Sequence, residues 1–173
     1  MEIYLIRHTT PNVINGLIYG RTDVTLADTF EQEKELIIKQ LPQKLDTVFS
    51  SPSSRCIRLA NTISENFIID ENLYELNFGS WEGKTWDTID REESEFWMDD
   101  FVNRCPPKGE TMLQMHNRIM VFWNKLLAQN YQTTAIVTHG GVIRIISSFI
   151  NSIPLQNAFS IKVGFGEVIK IEI

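Results

Sequence analysis

The amino-acid sequence predicts an α/β protein, a three-layer α/β/α sandwich around a mostly parallel central sheet. Short apolar runs alternate with longer stretches of helical period over all 173 residues, as strand–helix crossovers require. The length suits one domain spanning 1–173, and no repeat, linker or low-complexity tract divides it. Three of the predicted strands run directly into polar segments holding Arg or His, and two of those segments open a helix.

Residues 2–7 read as a buried strand, followed by a polar loop with Pro11, Gly16 and Gly20. Residues 26–41 read as a helix with Phe30, Leu36, Ile37 and Leu41 on one face, stopped by Pro42. A second strand at 46–50 leads to Ser53 or Ser54, which can cap a helix in which Ile57, Ala60 and Ile63 recur. A short strand at 67–69 precedes an extended or irregular segment at 74–83, and 84–107 is acidic and aromatic. The longest helix is expected at 111–129. Its apolar face comprises Met112, Met115, Ile119, Phe122, Trp123 and Leu126, a core stripe rather than a ligand box. A β-branched strand at 133–138 feeds a helix at 141–150. Strands at 158–163 and 167–173 close the chain, joined by a hairpin at Gly164 and Gly166.

Composition narrows the function. The chain is 43% hydrophobic and 22% charged, ordinary for a globular protein and far from disorder. Lys and Arg number 16 against 22 Asp and Glu, a net charge of −6 that argues against nucleic-acid binding while leaving room for a small anion. The most apolar late stretch, 142–153, is cut by Arg144, two serines and Asn151 and falls short of the ~20 residues a bilayer needs. Glu2 and a short apolar run do not make a signal peptide. Cys56 and Cys105 form no metal-type pair and read as reduced thiols, so a cytoplasmic location is expected.

The first strand ends in Arg7-His8-Thr9, the second in Ser50-Ser51-Pro52-Ser53-Ser54-Arg55, and the 133–138 strand in Thr138-His139-Gly140-Gly141. Parallel strands present their carboxyl ends along one edge, where ligands bind. Arg7, His8, Arg55 and His139 therefore converge, and helix amino termini aim free N–H groups at the same spot. Such a site is built for an anion, most naturally phosphate. A lone histidine after a strand is ordinarily structural. Four such residues at three equivalent positions point to one shared site. Other phosphate motifs fail: Gly79 and Gly83 are separated by three residues where a nucleotide P-loop needs four, and neither cysteine has an arginine six positions on.

Four pieces in order, Leu5-Ile6-Arg7-His8-Thr9, the Ser50 to Arg55 run, Leu73-Tyr74-Glu75-Leu76-Asn77-Phe78-Gly79-Ser80-Trp81-Glu82-Gly83 and Val137-Thr138-His139-Gly140-Gly141, resemble the histidine phosphatases. These are also called phosphoglycerate-mutase-like proteins. The resemblance implies that His8 is the nucleophile and forms a phosphohistidine, and that Arg7, Arg55 and His139 hold the phosphoryl oxygens. It makes Glu75 the proton donor and later the base, with Glu82 a competing acid in the same loop. It implies no cofactor and no metal. Attack requires a neutral imidazole, and neighbouring arginines disfavour its protonation. The family's glycine after the nucleophile is replaced by Thr9, and its asparagine by either Asn12 or Asn15. Thr9, Asn15 and Arg21 are candidate anion contacts in this loop.

Within the family, residues 16–26 and Pro106-Pro107-Lys108-Gly109-Glu110-Thr111 resemble the α-ribazole phosphatases, which remove the 5′-phosphate of α-ribazole phosphate in cobalamin assembly. That implies a small phosphorylated metabolite as partner, with no nucleic acid and no membrane. Trp81, Trp86 and Trp97 could stack on a flat base. The only sizeable cover is 84–110, and the chain ends after its last predicted strand, which favours hydrolysis over a mutase. A broad-specificity or sugar-phosphate phosphatase, a phosphoglycerate mutase and a catalytically silent phosphate-ester-binding protein remain alternatives. The presence of both His8 and Glu75 favours activity.

Overall fold

Ile3, Tyr4, Leu5 and Ile6 are all buried, so the strand that carries them, β1 (Glu2–Arg7), must be covered on both faces. The computed structural model describes residues 1–173, and β1 lies inside a five-stranded sheet. The chain continues through α1 (Phe30–Ile38), β2 (Thr47–Ser50), α2 (Ser54–Ile63), β3 (Ile68–Ile69), α3 (Arg91–Asp99), α4 (Met112–Leu127), β4 (Thr133–Thr138), α5 (Gly140–Ile150) and β5 (Val168–Glu172). Strand order is β3-β2-β4-β1-β5; only β5, at one edge, runs antiparallel.

Side chains alternate across the sheet and so divide the core. Tyr4, Ile6, Val48, Ala135 and Val137 pack under α1 and α2 with Phe30, Ile37 and Leu59. Ile3, Leu5, Phe49 and Ile136 face the opposite layer, where α4 and α5 supply most of the apolar surface. The expected three-layer sandwich is the one observed. The six positions expected to form the apolar face of α4 are its six buried residues. A capping box starts the helix: Gln114 N–H donates to Thr111 Oγ1 at 3.0 Å, and Thr111 N–H to Gln114 Oε1 at 2.8 Å.

Three expectations need correction. Helix α1 is shorter than 26–41, and Leu36 is 61% exposed, because Phe30, Ile37 and Leu41 fall on one side of a 3.6-residue period and Leu36 does not. Residues 158–163 form no strand; Leu155–Ser160 is a 3₁₀ helix after Pro154. The carbonyls of Ile161 and Val163, which a ladder would need, instead accept from Arg144 Nε at 2.9 Å and an Arg7 terminal N–H at 2.6 Å. The Gly164–Gly166 turn therefore leads into β5 without a hairpin partner. Helix α3 within the acidic, aromatic segment had no clear signal, and it packs through Trp97.

The loop after β1 leads to α1 on one face of the sheet, while β4 leads to α5 on the other. The crevice between their carboxyl ends is thus the place where an open α/β sheet binds ligands.

Candidate active site

The parallel register pairs Arg7 with Thr138, so His8 and His139, the next residues, lie side by side with ring centroids 5.3 Å apart. Strand β2 pairs Ser50 with Val137, placing Ser51 level with Thr138, one step before the histidines; α2 then begins, and Arg55 in its first turn reaches back between the imidazoles. Arg55 is 1% exposed. Its Nε donates to His8 Nε2 at 3.3 Å, and a terminal N–H to His139 Nδ1 at 3.3 Å. The same guanidinium donates to Gly20 O at 2.6 Å and Thr22 O at 3.0 Å, fixing the loop before it.

His8 Nδ1 lies 2.8 Å from the Thr9 carbonyl, an acceptor, so the ring carries its proton there and leaves Nε2 as a lone pair. Burial pushes the His8 pKa down to about 3, and the Arg55 and Arg7 charges act in the same direction. The imidazole is neutral at neutral pH. His139, fully enclosed, is held well below its ordinary value by burial and then by Arg55. Its Nε2 lies 2.7 Å from Ser51 Oγ; with Nδ1 accepting from Arg55, the Nε2–H donates to that hydroxyl. Cys56 Sγ lies 3.6 Å from the same Nε2, and burial pushes this thiol up to about 12, leaving it protonated.

Arg7 lies over the Phe165 ring at 3.7 Å, and its buried Nε has no hydrogen-bond partner. Arg7, His8, Glu75, Gly141 and Arg144 line one cavity of about 310 Å³. Glu75 Oε2 accepts the Gly141 N–H at 3.0 Å, at the amino terminus of α5, and Oε1 accepts the Leu76 N–H at 3.0 Å. The rest of the wall is mostly apolar, with Leu76, Phe78, Trp86, Met112, Met115 and Phe159. The structure therefore brings together Arg7, His8, Arg55, His139 and Glu75. It offers an unprotonated nitrogen, unpaired guanidinium donors and a carboxylate around a space with an apolar side.

The other expected contacts lie elsewhere. Trp81 is 1% exposed and packs on Trp86 and Trp97 at 5.9 and 5.7 Å, so its ring belongs to the core and not to the cavity. Asn15 is exposed on the outer loop. Arg21 turns to Glu110 at 3.1 Å and lies over Tyr74. Glu82 accepts the backbone N–H groups of Arg21, Thr22 and Phe78, which makes it a loop pin. Thr9 is fully buried and serves His8 through its carbonyl. Sequence reasoning missed Arg144 as a cavity residue; the available signal was one arginine interrupting an otherwise apolar helix. It also missed Ser51 as the partner of His139.

A family model for the histidine phosphatase superfamily (branch 1) matches residues 3–173. The chain belongs to the histidine phosphatase superfamily. It is 31% identical over 169 residues to "Putative phosphoserine phosphatase 2" of Hydrogenobacter thermophilus, covering 92% of this chain and 83% of that protein. It is 27% identical to the adenosylcobalamin/alpha-ribazole phosphatase of Escherichia coli K12, covering 96% of this chain and 87% of that one. The alpha-ribazole phosphatase structure from Shigella flexneri superposes with a TM-score of 0.90 at 24% identity, over 100% of this chain and 91% of its own, a likeness of fold. This histidine phosphatase is a phosphoric monoester hydrolase. None of its helices is long and apolar enough to cross a membrane.

Proposed function

We propose that this histidine phosphatase hydrolyses α-ribazole 5′-phosphate through a phosphohistidine on His8, without a metal ion. The observation that carries the chemistry is the protonation pattern of His8: Nδ1–H is engaged by the Thr9 carbonyl, and the neutral ring keeps its lone pair on Nε2, from which the Arg55 Nε–H at 3.3 Å turns to a phosphoryl oxygen when Nε2 attacks. In the first step Nε2 attacks phosphorus, the ester P–O bond breaks, and protonated Glu75 gives its proton to the departing oxygen. In the second, the Glu75 carboxylate takes a proton from water, the water oxygen bonds to phosphorus, and the N–P bond breaks to free His8 and inorganic phosphate. Arg7 and Arg55 neutralise the phosphoryl oxygens throughout, a task that forked guanidinium groups perform well, while neutral His139, its Nε2–H spent on Ser51, accepts from Arg55 and steadies that guanidinium. Two guanidinium groups beside the imidazoles also oppose a bound cation electrostatically.

The apolar wall supports the substrate. Phe78 and Trp86 meet edge to face at 6.1 Å, and with Phe159 they offer aromatic surface to a flat base. Residues 84–110 act as the cover: Trp86 forms part of the wall, and Thr85 bridges to Leu17 across the entrance loop. A second reading, phosphoserine, is favoured by Arg144, which lines the cavity without a carboxylate partner and would suit a substrate carboxylate.

The test compares kcat/KM on α-ribazole 5′-phosphate, phosphoserine, phosphoglycerate and sugar phosphates, each with and without EDTA. A preference of at least about 10²-fold for the first supports the assignment. A phosphoserine preference transfers it to the second reading, and loss of activity in EDTA overturns the metal-free mechanism.

A further inference from the structure

One ion pair outside the cavity holds the backbone on both sides of Glu75. Arg118, on α4, forms a two-pronged pair with Glu110: Nε donates to Oε2 at 3.1 Å and a terminal N–H to Oε1 at 2.7 Å. The rest of the guanidinium is spent on the Glu75 loop. One N–H donates to the Asn72 carbonyl at 2.6 Å, and another to the Glu75 carbonyl at 3.1 Å. Glu110 completes the grip from the far side. Its Oε1 accepts the Asn77 N–H at 2.9 Å, and its own N–H donates to the Asn77 carbonyl at 2.9 Å.

Both side chains are largely enclosed, 16% exposed for Arg118 and 13% for Glu110. Bidentate charged pairs of this kind fix orientation as well as distance. The loop has little regular structure of its own, a single 3₁₀ turn at Glu71–Leu73, and the Asn72 and Glu75 carbonyls and both backbone groups of Asn77 take their partners from Arg118 and Glu110. Neither Arg118 nor Glu110 lines the cavity.

We infer that Arg118 and Glu110 are positioning residues for proton transfer: their ion pair sets where the Glu75 carboxyl stands relative to the departing oxygen. The inference rests on the reading of Glu75 as proton donor. Proton donation tolerates little displacement, and its benefit depends on how basic the departing oxygen is. 4-Nitrophenolate leaves without a proton; an alkoxide does not. A displaced acid therefore slows phosphoryl transfer from an alkyl ester while sparing the nitrophenyl ester. General loosening of the fold slows both.

The experiment measures His8 phosphorylation by single-turnover rapid quench with 4-nitrophenyl phosphate and with ribose 5-phosphate. It uses the full chain and the variants Arg118→Lys, Glu110→Gln and Glu75→Gln. Glu110→Gln retains an oxygen for the Asn77 amide, so it keeps the test available if Arg118→Lys does not fold. The expected result is that the alkyl-to-nitrophenyl rate ratio falls at least about tenfold in the clamp variants, in the same direction as in Glu75→Gln. Equal slowing of both esters, or an unchanged ratio in the clamp variants beside a lowered ratio in Glu75→Gln, overturns the inference alone. An unchanged ratio in Glu75→Gln removes Glu75 as the donor and overturns both.

Discussion

Gly141 leaves empty the point where the Glu75 carboxylate sits: a Cβ added to Gly141 would stand 2.1 Å from Glu75 Oε1. The carboxylate can take the Gly141 amide at 3.0 Å only because no side chain intervenes. Gly141→Ala should push the carboxylate out of the cavity wall. Activity on an alkyl phosphate is expected to fall about 10²-fold. The melting temperature should change little, since alanine in the first turn of α5 improves helix propensity. Steady-state kinetics beside thermal unfolding checks both halves.

His8→Ala should abolish phosphoenzyme formation. A substrate carrying labelled phosphate should leave an acid-labile, base-stable adduct on the unaltered chain and none on the variant, with kcat lowered by at least about 10³-fold. An adduct surviving in the variant would place the nucleophile elsewhere.

The buried imidazole makes stability depend on pH in one direction. In the unfolded chain His8 titrates near 6.5, and in the fold near 3, so between these values the unfolded state holds the extra proton. His8 then contributes a loss of stability as pH falls below 6.5, up to about 1.4 kcal/mol per pH unit, and none above it. His139 acts in the same direction. Unfolding free energies from pH 7 to 4 should show a shallower decline in His8→Gln than in the unaltered chain. Parallel curves would contradict the depressed His8 value.

The two cysteines should differ sharply. Cys105 is exposed, whereas Cys56 is enclosed with its thiol pushed up to about 12. A thiol reagent at pH 8 should modify one group in the folded protein and a second after denaturation. Rapid loss of both would show that the His139 pocket opens.

Trp81 and Trp86 touch each other and should behave differently. Trp81→Ala removes a core side chain and should cost about 3–5 kcal/mol of stability. Trp86, 41% exposed and on the cavity wall, should cost far less stability and raise KM for an aromatic substrate roughly 3- to 10-fold. Comparable destabilisation with unchanged KM would remove Trp86 from the substrate wall.

The site was legible in sequence where regular structure sets it. Strands announced by apolar runs end at Arg7, Ser50 and Thr138, and parallel pairing alone brings the following His8 and His139 together, with Ser51 one step behind them beside Thr138. The α4 face was readable because its period is regular over sixteen residues. Loops were less transparent. Glu82 looks like a second acid until its carboxylate is found taking backbone amides, and Arg21 looks like an anion contact until Glu110 is found beside it. Residues 158–163 carry strand-forming types, yet Arg7 and Arg144 take the carbonyls that pairing would use. In each case a distant partner, invisible to local pattern, decides the outcome.

The pairing of Arg7 with Thr138 also governs how the chain can vary in length. The separation of the two imidazoles is inherited from the spacing between adjacent strands, so it does not depend on the length of any connecting loop. Insertions between 10 and 29, or between 84 and 110, can reshape what enters the site without disturbing the histidines. Deletion of one residue inside β1 would be different: it would exchange the two faces of that strand and carry His8 away from His139. New specificities are thus open to drift at the rim, while the reacting pair admits almost no change in length.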